Sequence, residues 1–221
     1  MQSRREFIHM LSLSPLIGVA AMNFSCSEET VGYSENLGIK YLESLVETID
    51  TIIEQEAGKI EKAAGLAVQA KLQGRKLYAL MNGGMLPAEL TQARRGNPDI
   101  FLFEDIQLAS RDDVVITNEP YAARGLGERL VKVVGISRPD ILNKQTPAGT
   151  LSMMGSFRIE DVSDLVIYSH VPYSDGVVNV EGAQVPLFAL SGIMQSLIFH
   201  SLSAAIAEKS AEYGIFYPIA T

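Results

Sequence analysis

The chain has 221 residues, 47% of them hydrophobic, with one cysteine, no tryptophan and a formal net charge of −8. That length gives room for a true core in one α/β domain or two small ones. The acidic balance excludes a general nucleic-acid binder, which needs a basic surface, and a lone cysteine excludes an intrachain disulfide.

The N-terminus comes first. Ser3-Arg4-Arg5-Glu6-Phe7-Ile8 has the form of a twin-arginine export signal. The apolar run from Met10 to Met22 contains Pro15 and Gly18 and is too short for a membrane span, so it reads as a signal core. Cys26 follows directly and resembles the lipidation site of a bacterial lipoprotein. The alternative is a soluble exported protein with Cys26 in a tail. The expected organisation is therefore 1–26 signal, 27–34 tether and 35–221 a single domain, periplasmic or held at a membrane only by a lipid anchor.

From Leu37 the apolar residues recur at helical spacing: Leu37, Tyr41, Leu42, Leu45, Val46, Ile49, Ile52 and Ile53. Glu43, Glu47, Asp50 and Glu54 form an acidic stripe on another face, read as solvated surface. A second helix is expected from about Glu56 to Gln73, with Gly74 as its C-terminal cap. Its alanines, with the apolar last helix, predict a homodimer. Leu77 to Met81 is a short apolar run, the pattern of a strand covered on both faces. Asn82, Gly83 and Gly84 then allow positive φ and expose backbone N–H groups. A helix starting at Leu86 or Pro87 follows. Such a loop is either a ligand cradle or an ordinary tight turn.

Further strands are expected over Ile100–Phe103, Asp113–Thr117, Leu130–Ile136 and Asp164–Tyr168, and a long apolar helix over about Leu187–Tyr213. Apolar strands alternating with helices predict a three-layer, doubly wound α/β fold with a parallel sheet of about five strands, as in flavodoxin-like proteins. In such sheets ligands gather at the carboxyl ends of the strands. That makes Thr117, Asn118 and Glu119, with His170 and Asp175, the candidate site residues beside Asn82, Gly83 and Gly84. Their plain alternatives are turn chemistry for Asp175, a turn cap for His170 and a packed residue for His200. Nothing in the sequence forms a metal-ligand cluster or a dinucleotide fingerprint, and no cofactor is expected.

Two blocks carry a family resemblance. Ile60-Glu-Lys-Ala-Ala64, followed by Gly74-Arg-Lys and the glycine loop, is one. Asp164-Leu-Val-Ile-Tyr-Ser-His-Val-Pro-Tyr-Ser-Asp-Gly176 is the other, and the more specific. Together they resemble the sugar isomerase (SIS) domain family, in its phosphosugar-binding branch. The resemblance implies a five-stranded parallel sheet between helices, dimerisation and a sugar phosphate held at the strand ends. The chain departs from that pattern in both phosphate loops. The first is Met81-Asn82-Gly83-Gly84-Met85, without histidine or hydroxyl, and the second is Thr117-Asn118-Glu119-Pro120. A glutamate beside a phosphate site repels by roughly 4 kcal/mol at 4 Å and an effective dielectric near 20. Arg124 either offsets it or, as the plainer alternative, is a solvated surface arginine. The expected ligand is thus a sugar or sugar derivative, neutral or amino in preference to phosphorylated, with Asn82, Asn118 and Glu119 pairing to hydroxyls. The competing expectations are an active sugar isomerase or lyase using Glu119 and His170 as acid and base, with Glu89 a weaker candidate, and a ligand-free scaffold at the membrane surface.

Overall fold

Four of the five stretches that read as strands pair into one sheet. A computed structural model describes residues 36–81, 97–137, 158–172 and 174–219, all within a unit spanning Glu35–Thr221. The signal, Cys26, Asn82, Gly83, Gly84 and Glu89 lie outside the described residues.

Helix α1 runs Leu37–Leu72, 36 residues without a break, about 54 Å at 1.5 Å per residue. Asn36 caps its start, its side chain accepting from the Gly38 and Ile39 N–H groups. Two separate helices were expected here. The chain has only Gly58 at the anticipated break, and an interior glycine costs about 1 kcal/mol, too little to end a helix packed along its length. Termination comes at Gly74, with φ +71°. There the Arg75 and Gly74 N–H groups return to the Ala70 and Lys71 carbonyls, closing the last turn in the six-to-one, five-to-two pattern.

Strands β1 (Leu77–Leu80), β2 (Val114–Thr117), β3 (Lys132–Ser137) and β4 (Leu165–Tyr168) form one parallel sheet in that order. Register places Leu80 beside Thr117, Thr117 beside Gly135 and Ser137 beside Tyr168. The strand expected over Ile100–Phe103 is reduced to one bridge, Leu102 beside Tyr78. Its side chains explain the reduction. Phe101 and Phe103 pack against Phe199, so the backbone follows an aromatic cluster after a single ladder step. Leu102 sits on the far side of β1 from β2. The chain therefore reverses direction across the sheet between β1 and β2, the place where open sheets hold ligands.

Side chains alternate between two cores. Leu77, Ala79, Val114, Ile116, Val134, Ile136 and Ile167 meet α1 and the last helix, α4 (Ser191–Glu212). Tyr78, Val115 and Val133 meet Ile106, Ala123 and Leu126 on the other face. Two short helices, α2 (Pro120–Ala123) and α3 (Ile159–Val162), follow β2 and precede β4. Gly135 lets α3 approach: a Cβ there would lie 2.5 Å from Ser163 Oγ and 2.6 Å from Ile159 Cγ1. A hairpin absent from the sequence reading, β5 (Gly176–Val178) against β6 (Leu187–Ala189), precedes α4. It occupies residues expected to begin the last helix, which starts at Ser191 instead.

Candidate functional site at the carboxyl rim

All four strands are parallel, so Met81, Asn118, Ser137 and Ser169 leave the sheet at one rim. Thr117 is fully buried, and its hydroxyl accepts from the Glu119 N–H at 3.0 Å. Asn118 donates to Gln195 Oε1 on α4 at 2.6 Å. Glu119 turns onto the following helix, its carboxylate accepting from the Tyr121 N–H at 3.2 Å. The Asp175 carboxylate accepts from the Leu190 and Ser191 N–H groups and from Ser191 Oγ at 2.7–3.2 Å. Asp175 thus ties the hairpin to the start of α4. Ser191 and Gln195 are one turn apart, about 6 Å along the helix, so Asp175 and Asn118 hold adjacent turns of α4. Sequence position alone suggested a ligand role for Asp175 and Glu119. The structure shows both carboxylates engaged by backbone amides. His200 lies on α4 with its ring edge-on to Phe199, centroids 6.0 Å apart.

The end of β4 carries more. His170 has φ +53°, a left-handed conformation that costs a non-glycine residue about 1–2 kcal/mol. Its ring Nε2 lies 3.0 Å from Glu56 Oε1. Glu56 projects from α1 with a side chain 2% exposed, against 18% for His170. It also accepts from the Tyr168 N–H at 3.0 Å and from Lys59 Nζ at 2.9 Å. The Lys59 ammonium stands 4.6 Å above the Tyr168 ring, a cation–π contact. A carboxylate held out of water needs such partners, since an unpaired buried charge is costly. On the other side of β4, Ser137 Oγ hydrogen-bonds Glu160 of α3. Burial, then Glu160 and Glu56, push the Tyr168 hydroxyl above its ordinary range. Arg158 and Asp161 pair beside it, and their hydrogen bond raises the guanidinium and lowers the carboxyl. Among the described residues, the fully buried Ser169 Oγ has no hydrogen-bond partner.

Sequence reading missed Glu56, Lys59, Gln195 and Glu160. One signal was present for Glu56. It falls four residues after Ile52 and four before Ile60, on the apolar stripe of α1 and off the acidic one. A charge on a core-facing position calls for a partner. Among the described residues no three or more His, Cys, Asp or Glu side chains are grouped to hold a metal. No described helix is long and apolar enough to cross a membrane.

No protein-family model matches the chain, and no curated protein matches it. Among solved structures, a phosphoheptose isomerase from Francisella tularensis is similar with TM-score 0.45 and 16% identity, over 76% of this chain and 95% of that one. The strand order and the rim described above stand on the hydrogen bonds of this chain.

Proposed function

We propose that the domain is SIS-like and binds a carbohydrate derivative at the carboxyl rim, preferring a neutral or amino sugar to a sugar phosphate. One observation carries this reading. Amide, hydroxyl and imidazole groups stand at the ends of three adjacent strands, at Asn118, Ser137 and His170, while the Glu119 carboxylate already bonds the amide after β2. A phosphate placed there would meet an acid and a used donor. Sugar hydroxyls, which both donate and accept, suit amides and carboxylates. The block Asp164–Gly176 supports the same reading through its family resemblance. Calorimetry on the purified protein with glucose, glucosamine and N-acetylglucosamine, each beside its 6-phosphate, tests it. Tighter binding of the free sugars is expected, and a clear preference for the phosphates overturns the claim.

The second reading is an active isomerase, favoured by the His170–Glu56 pair. Incorporation of solvent deuterium at C2 of an aldose, lost in His170→Asn, would establish it. Export by the twin-arginine route, lipidation of Cys26 and homodimerisation complete the proposal. Substituting Arg4 and Arg5 by lysine should retain the protein in the cytoplasm. The mass of the mature N-terminal peptide reports the lipid. Sizing at micromolar concentration reports the dimer, and a monodisperse monomer removes it.

A further inference from the structure

We propose that Glu56 is a positioning residue for the rim site. It fixes the imidazole of His170 with its proton on Nε2, so that Nδ1 meets a ligand hydroxyl as a hydrogen-bond acceptor. The carbohydrate half of this inference rests on the proposed function; the tautomer half stands on geometry alone.

Three observations converge. First, Nε2 of His170 is 3.0 Å from a carboxylate oxygen. With Glu56 as a carboxylate, which only accepts, the proton of this contact stands on Nε2, and a neutral ring then has its lone pair on Nδ1. No hydrogen bond to Nδ1 is found among the described residues. Second, Glu56 does not need the histidine for its own burial. Lys59 Nζ reaches both of its oxygens, at 3.1 and 2.9 Å, and the Tyr168 N–H supplies a third bond. A structural pin between α1 and β4 is complete without His170. Third, the backbone that carries this imidazole takes a positive φ at 170. Strained residues persist where the surroundings over-determine them, which is common at ligand sites. The side chain is 18% exposed beside one that is 2% exposed, so the ring joins a buried acid to the surface of the rim. Metal sites fix histidine tautomers by the same logic, through the bond the second nitrogen makes.

The test is a long-range nitrogen–proton correlation spectrum of the imidazoles, recorded on the whole protein at about pH 8, where an ordinary imidazole is neutral. Wild-type His170 is expected to show a protonated Nε2 and a pyridine-like Nδ1. In Glu56→Gln the amide can donate to Nε2 while its oxygen keeps the Tyr168 N–H. The pattern should then move toward the Nδ1-protonated tautomer. Affinity for the best free sugar should fall tenfold or more, and Lys59→Met should leave the tautomer as in wild type. A wild-type ring protonated on Nδ1, or on both nitrogens, overturns the inference even if Glu56→Gln fails to fold. So does an unchanged sugar affinity in a variant whose tautomer has switched. If no sugar binds the wild type, the proposed function falls and takes the ligand half with it, while the spectrum still decides the tautomer.

Discussion

Two buried carboxylates stand at opposite rims of the sheet, and they are used differently. Asp113, 3% exposed and just ahead of β2, accepts from the Lys76 N–H, the Ser110 N–H and Ser110 Oγ at 2.8–3.0 Å. Two of those three donors are backbone amides at the amino end of the strands. Glu56, 1% exposed, takes one amide and two side chains, one of them a titratable imidazole in a left-handed conformation. Asp164 repeats the Asp113 pattern, accepting from the Val133 N–H and Lys132 Nζ. The amino rim therefore uses acids to satisfy strand amides. At the carboxyl rim Glu56 instead joins two side chains, Lys59 and His170, to one strand amide, the contact on which the proposed positioning role rests. The same contrast extends to the hollow of about 480 Å³ at the amino rim, lined by Lys71, Lys76, Asp99, Phe101 and Tyr217. There Asp99 and Pro218 are held by a backbone hydrogen bond, and Lys71 Nζ lies 5.7 Å from the Tyr217 ring centroid.

The sharpest way to break the comparison is to replace each acid by its amide. Asp113→Asn turns an NH₂ group toward either the Lys76 N–H or the two Ser110 donors and leaves a buried donor unpaired. A loss of about 3 kcal/mol is expected by urea denaturation. Glu56→Gln can re-pair with the imidazole and should lose only about 1 kcal/mol. Equal losses would mean both acids are structural pins of one kind. Between these in size, Gly135→Ala forces α3 away from β3 and should lose about 2 kcal/mol through overpacking. Because Glu160 rides on α3, the same change should disturb Ser137 without touching Asp113.

Smaller effects sharpen the picture. Gly58 lies in α1 near Glu56, and a Cβ there meets nothing within 4 Å. Gly58→Ala should raise stability by about 0.5–1 kcal/mol. A loss of stability with a shift to monomer would instead show that a second copy packs on that face. The smallest effect is alkaline. The Tyr168 phenol is held above its ordinary value of 10.0, by burial first and then by Glu160 and Glu56. The unfolded chain therefore ionises before the folded one. The contribution is complete below about pH 10 and is lost as pH rises through the folded value. Above about pH 10 the wild type should lose denaturation midpoint faster than Tyr168→Phe.

The candidate site was half legible. His170 and Asn118 could be named because each comes just after a short apolar run, and strand ends predict the rim. Their partners could not. Glu119 and Asp175 show the converse: residues of the right chemistry at the right loops, engaged by amides, Glu119 as the cap of the short helix that opens at Pro120 and Asp175 across fifteen and sixteen residues. The hairpin at Gly176 escaped because three-residue strands carry too short an alternation to register. Gly176 itself is required there, since a Cβ would lie 2.0 Å from the Pro186 oxygen.

What the amino-acid order determined by itself was the α/β class and the positions of the four strands. Parallel strands buried on both faces must be apolar throughout, and such runs stand out against helical periodicity. What only the tertiary structure decided was the meeting of Glu56 and His170, 114 residues apart. That contact depends on one unbroken helix lying across the edge strand of the sheet, and long-range placement of this kind leaves no periodic trace in the sequence.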